Sequence, residues 1–304
     1  MRRLRDAMRR FRAEYGSLLK AEEMEETLDL VFYRPLAFLG VRAVERTGIT
    51  PDQITLASIA AAIGAAFSIA TGTYAGFLWG AALVFLFNVL DCADGMLARV
   101  RGTGSPYGYI LDGLAGYIGT AAIVLGLGQA VAQRWDQPIL GWGLALAAGV
   151  SLAWWCSVVD GLRLEWDRRV HGVRQDRAAE LKQLVDAAER WRSEGSHPAE
   201  RFLVGTYVVY VRLWSGRSKG DRVEAPEDEI PAAAWAESHR PVLRLAVAAG
   251  PTMQLTVIIA ALLLGTPETV LGAVVILGNL WGAGVLVYRF AIRRQLLARV
   301  ASEA

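Results

Sequence analysis

The sequence predicts an all-α integral membrane protein: six transmembrane helices preceded by an interfacial amphipathic helix, with a helical cytosolic insert between spans four and five. Three observations predict it. Hydrophobic residues make up 54% of the 304 positions and gather in blocks rather than spreading periodically. Those blocks approach the roughly 20 residues that a helix needs to cross a bilayer. Lys and Arg are almost absent from every second loop between them, the bias that orients membrane proteins.

The elements follow in order. Arg2, Arg3, Arg5, Arg9, Arg10 and Arg12 have no apolar core directly behind them, so the N-terminus reads as a basic amphipathic arm near a membrane surface and not as a cleavable signal. Residues 28–44 are moderately apolar but contain Arg34-Pro35, which suits an interfacial helix better than a span. Ile49-Thr50-Pro51-Asp52 has the form of a helix start, with Thr50 as N-cap and Pro51 at the first helical position. Spans are predicted at about 54–70, 75–97, 107–131, 140–159, 242–264 and 270–290, with Pro267 marking the last turn. The organisation is therefore arm and interfacial helix (1–50), spans one to four (51–160), insert (161–240), and spans five and six with a basic tail (241–304). Within the insert, residues 177–191 have a helical amphipathic period. Residues 202–214, with Tyr207, Tyr210 and Trp214, suit either a membrane interface or a small helical subdomain.

The loops near Thr73, Gln133 and Thr266 hold one basic residue between them, Arg134. The arm, the loop after span two, the insert and the tail are then cytosolic, in a multi-pass protein of the cytoplasmic membrane. A formal net charge of +2 gives no electrostatic argument for a nucleic-acid partner. Cys92 and Cys156 lie in apolar segments with neither disulfide nor zinc spacing, and His171, His197 and His239 read as ordinary surface residues of the insert.

The chemistry is concentrated where span two ends and span three begins. Asp91 and Asp94 project from one helix face; Gly95 and Ala98 continue that face with almost no side chain, and Arg99 adds a cation suited to phosphate. Gly108 and Asp112 repeat the small-residue and carboxylate pattern on the next helix. A carboxylate inside a span costs about 2.5–3.5 kcal/mol, and three together also repel, so a cation or protons must neutralise them. Hard oxygen ligands select Mg²⁺ or Mn²⁺, and a divalent pair would clamp a pyrophosphate and stabilise charge on a leaving phosphate. Asn88, a turn earlier, can bond a neighbouring helix or reach a ligand.

These residues resemble the signature of the CDP-alcohol phosphotransferase (phosphatidyltransferase) family, Asp-x2-Asp-Gly-x2-Ala-Arg-x8-Gly-x3-Asp-x3-Asp. Asp91, Asp94, Gly95, Ala98, Arg99, Gly108 and Asp112 match at every spacing. The resemblance implies that Asp91, Asp94 and Asp112 ligate the metals, a pair of Mg²⁺ (or Mn²⁺) ions, while Gly95, Ala98, Arg99 and Gly108 line the pocket for the CDP moiety. It further implies transfer of a substituted phosphate from a CDP-linked donor (CDP-diacylglycerol or a CDP-headgroup) to an alcohol acceptor at the bilayer, with release of CMP, by a homodimer in phospholipid synthesis.

The fourth aspartate of the pattern is absent: position 116 is Gly116. In the family that residue is the general base, and losing a base typically costs 10²–10⁴-fold in rate. Three readings follow. Asp160 or Glu165, near the cytosolic end of span four, serves as substitute base; Tyr117 points about 100° away. The acceptor is an anion, a phosphate or phosphonate, that needs no base. Or the protein binds a CDP-linked lipid without turning it over. Gly113, Gly116 and Gly119 recur at three-residue spacing, so close helix packing is an alternative use of the same glycines. Arg101, Arg163, Arg168 and Arg169 either hold an anion near the mouth or simply set topology. A transporter is the weakest alternative, because the acidic residues stay at the cytosolic end and away from the midplane.

Overall fold

The computed structural model describes residues 15–16, 22–103, 106–173, 177–215 and 230–303. The arginines of the N-terminal arm lie outside the described residues. Every regular element among those described is helical. After a π-helical turn at Asp29–Tyr33 come α1 (Arg34–Val44), α2 (Pro51–Ala70), α3 (Tyr74–Arg101), α4 (Pro106–Trp135) and α5 (Pro138–Val170). The remainder is α6 (Arg177–Glu194), α7 (Pro198–Ser215), α8 (Ala232–Ala248), α9 (Pro251–Leu263), α10 (Pro267–Ala273), a π turn at Val274–Gly278, and α11 (Asn279–Glu303). Six stretches are long and apolar enough to cross a membrane: 51–70, 74–101, 110–135, 138–170, 232–263 and 267–298. This is a multi-span membrane protein.

The start of α2 follows directly from its sequence. Thr50 accepts a hydrogen bond from the Gln53 N–H, the Gln53 side chain accepts from the Thr50 N–H, and Pro51 occupies the first turn. α3 stops at Gly102, whose φ of +62° is the left-handed turn that glycine adopts without strain. α2 packs between α3 and α4, which touch each other far less than either touches α2. Small residues allow this: Ala61, Ala62 and Ala65 of α2 meet Ala81, Val84 and Phe87 of α3 and Ile123 and Leu127 of α4.

At the end of the bundle away from Asp91, the loops after α2, α4 and α9 converge. The Tyr74 hydroxyl donates to the Leu263 carbonyl, and Arg134 pairs with Glu268 at 3.4 Å. The helical insert exists as the α6–α7 pair, which packs on the start of α4 through Ile110, Leu114, Leu184 and Val204.

Two expectations need correction. Span five is not continuous: the chain breaks at Ala249–Gly250 before Pro251 starts α9. Proline has no N–H to extend a helix and sits without penalty at a first turn. His239 is not a surface residue. It is buried and stacked on Trp235 with ring centroids 4.2 Å apart, in a cluster that also holds Trp166.

Candidate active site

Asp94 is the most firmly built member of the cluster. It is 2% exposed; its Oδ2 accepts from the Thr55 hydroxyl at 2.6 Å, and its Oδ1 accepts from the Gly95 N–H. Thr55 reaches it because the capping box fixes the phase of α2, placing Thr55 one turn inside the helix against α3. A carboxylate with both oxygens engaged is oriented before any ligand arrives.

Asp91 and Asp112 are half-buried. Asp112 is the charge that acts most strongly on both Asp91 and Asp94. The Arg99 guanidinium lies back over Gly95, where an added Cβ would sit 3.5 Å from Nη1. That brings the cation onto the face that carries Asp94, as the spacing predicts.

The glycine stripe on α4 divides into two uses. A Cβ on Gly119 would lie 2.5 Å from the Phe87 ring, so this glycine is present for close packing. A Cβ on Gly116 or Gly113 would meet nothing within 4 Å. The position that lacks the expected carboxylate therefore has room for one.

Residues 48–185 match the model of the CDP-alcohol phosphatidyltransferase family. This segment is similar to CDP-alcohol phosphatidyltransferase domains. Over 108 residues the chain is 39% identical to a phosphatidylinositol phosphate synthase of Mycolicibacterium smegmatis, covering 35% of this chain and 46% of that protein. A phosphatidylinositol phosphate synthase of Mycobacteroides abscessus is 34% identical over 98 residues, covering 32% and 44%. A bifunctional IPC transferase and DIPP synthase of Rubrobacter xylanophilus is 36% identical over 107 residues, covering 35% and 20%. The chain thus spans less than half the length of these relatives.

A divalent cation is implied by such a domain, and its fit rests on donor chemistry. All three candidate ligands are carboxylates, and Asp94 is already oriented by Thr55. Among the described residues no three His, Cys, Asp or Glu side chains stand close enough to hold one ion between them. The donor set suits Mg²⁺ or Mn²⁺.

The two substitute-base candidates lie on α5, away from Gly116 in sequence and both beside arginines. Glu165 accepts from Arg289 at 2.6 Å and stands 3.7 Å from Arg169. Asp160, with a side chain 56% exposed, stands 3.7 Å from Arg163. Arg101 is committed elsewhere: its guanidinium donates to the carbonyls of Val44, Glu45, Thr47 and Ile49, clamping the end of α1 to the end of α3. Arg163 donates to the Met24 carbonyl.

The segment before α1 contributes residues that sequence reasoning missed. Glu26 is 3% exposed and caps α9, accepting from the Thr252 and Met253 N–H groups at 3.3 and 3.0 Å. Burial first, and then the charge of Asp29, push its carboxyl up to about 7. Asp29 accepts from the Thr252 hydroxyl at 2.8 Å and from the Cys92 thiol at 3.7 Å, beside Asp91. The only available signal was Gly250-Pro251, whose helix start needs an acceptor that no neighbouring residue supplies.

Proposed function

We propose that the chain is a membrane transferase that moves a substituted phosphate from a CDP-linked donor to an acceptor, releasing CMP, in phospholipid or related lipid synthesis. The observation that carries this reading is buried Asp94, held by the Thr55 hydroxyl at 2.6 Å, within the segment that matches the family. Asp91, Asp94 and Asp112 would hold Mg²⁺, a pair of ions being the family expectation; bound there, the metal would supply charge neutralisation for a leaving phosphate. Thr55 keeps Asp94 in place, Arg99 over Gly95 meets the nucleotide phosphates, and Gly95, Ala98 and Gly108 leave space for the CDP moiety. The Lys and Arg in the loops at this end support a cytosolic orientation in the cytoplasmic membrane. The relatives' names point to phosphatidylinositol phosphate products, so an inositol phosphate is the first acceptor to try. A homodimer remains the family expectation.

With Gly116 unable to take a proton, the acceptor is activated in one of two ways. Asp160, the more exposed of the two candidates, removes the proton of an alcohol; Glu165 is engaged by Arg289 and Arg169. The second reading is an anionic phosphate or phosphonate acceptor, favoured because both candidate bases are paired with arginines. A third, binding of a CDP-lipid without turnover, is separated from both by the assay.

That assay is CMP release by the full chain in lipid nanodiscs, with Mg²⁺, CDP-diacylglycerol, and alcohol or phosphate acceptors. The native chain should release CMP, Asp94→Asn should not, and Gly116→Asp should raise the alcohol rate by about 10²-fold or more. Release that ignores both Mg²⁺ and Asp94→Asn overturns the reading. Release seen only with Gly116→Asp identifies the native chain as a binding protein.

A further inference from the structure

Arg34, at the start of α1, is a buried cation that its protein partners do not use up. Its side chain is 14% exposed, and Nη2 donates to Glu25 Oε2 at 2.7 Å. Its Nε and Nη1 are buried with no hydrogen-bond partner, as is Glu25 Oε1. Guanidinium groups of folded proteins rarely leave two buried N–H directions unmet unless something else takes them. On α3, Asn88 is 3% exposed and its Nδ2 is also without a partner, one turn before Asp91.

The surroundings say what Arg34 faces. Its charge acts on Asp91 and Cys92 of α3, and among charged neighbours it is the one that acts most strongly on Arg99. Two guanidinium groups this near one another, beside the aspartate cluster, repel unless an anion lies between them. Arg99 already lies over Gly95 on the ligand face. Arg34 is carried by α1, whose Ala37, Phe38 and Val41 pack on Ala93, Met96 and Leu97 of α3. Arg101 fixes the far end of α1 to the same helix. The cation is therefore held on a rigid mount, the arrangement that planar recognition of phosphate needs.

We propose that Arg34 is a phosphate-binding residue of this site, its Nε–H and Nη1–H donating to oxygens of a substrate phosphate while Glu25 holds its Nη2. The assignment rests on the transferase reading above. The phosphate belongs either to the CDP-linked donor or to an anionic acceptor, and the two sources separate in the test.

The test is calorimetry on the full chain in nanodiscs with Mg²⁺, using CDP, cytidine, and inorganic phosphate added at saturating CDP. Arg34→Lys keeps a cation beside Glu25 but cannot supply two planar donors, so it is the informative variant; Arg34→Gln removes the charge. Arg42→Gln, which alters an arginine paired with Glu45 on the same helix, is the control. If the donor is read, both Arg34 variants should bind CDP about 10- to 100-fold more weakly. Cytidine affinity and the melting temperature of Arg34→Lys should stay at native values. If CDP affinity is unchanged and inorganic phosphate is bound more weakly, the residue reads the acceptor. Native affinity for both ligands in both Arg34 variants overturns the proposal, and so does a loss of melting temperature with affinities intact, which would make Arg34 a structural ion pair. Native-like CDP binding by Asp94→Asn, or none by the native chain, would instead bring down the transferase reading and Arg34 with it.

Discussion

Replacing Gly250 by alanine should unlatch the segment before α1 from α9. A Cβ at this position would lie 2.2 Å from Glu26 Oε1 and 2.4 Å from its Cδ, far inside contact distance. Glu26 must then withdraw, and the Thr252 and Met253 N–H groups lose their acceptor at the start of α9. Hydrogen bonds to a charged group contribute about 1.5–3 kcal/mol each; returning a buried carboxylate to water offsets part of the loss, leaving about 2–4 kcal/mol. The assay is reversible unfolding in mixed micelles, with Gly143→Ala as control because a Cβ there meets nothing within 4 Å. A double-mutant cycle isolates the mechanism: in a Glu26→Ala background, Gly250→Ala should cost little more. A Gly250→Ala loss below about 0.5 kcal/mol, or additive losses in the cycle, would refute the clasp.

Two further outcomes are expected. Glu26 ionises near pH 7 in the folded chain against an ordinary value of 4.5, so the folded state holds its proton more tightly. Its contribution is then fully present below about pH 4.5 and lost as pH rises to about 7, worth roughly 3 kcal/mol. Unfolding measured from pH 5 to 8 should show this slope, and Glu26→Gln should flatten it; an unchanged slope assigns it to another group. On α4, Gly119→Val should destabilise by about 1–3 kcal/mol by pressing on Phe87, whereas Gly116→Ala should leave the melting temperature near native. Equal effects at the two positions would show that both glycines serve packing.

The membrane core was legible because its signals are local. Blocks of apolar residues gave the six spans, Thr50-Pro51 gave the start of α2, and motif spacing singled out Asp91, Asp94, Arg99 and Asp112 as candidates. What escaped depends on distant partners. Nothing near Glu26 in sequence says that it caps a helix 226 residues later. Arg101 looked like a phosphate cation or a topology signal until four carbonyls of the α1–α2 connection were seen around it. His239 lay in a polar stretch, yet Trp235 one turn before it supplied the ring that buries it. The glycines at 116 and 119 are indistinguishable in sequence, because only the position of Phe87 separates packing from open space.

The segment before α1 also changes how the site should be understood. Asp91, Asp94 and Asp112 do not stand alone: Glu25, Glu26 and Asp29 come within reach of them through Arg34, Thr252 and Cys92. Among the described residues, Arg34, Arg99 and Arg163 are cations whose charge acts on this group, and its carboxylates outnumber these three. At low dielectric such a deficit is costly, and protonating Glu26 relieves only one charge. The remaining excess sits beside the paired aspartates, where a divalent cation would cancel it. The cap on α9 and the thiol contact beside Asp91 are linked through Thr252 and Asp29. Loosening the clasp should therefore weaken ligand binding at the aspartates as well as stability, since the elements that carry them share the same mount.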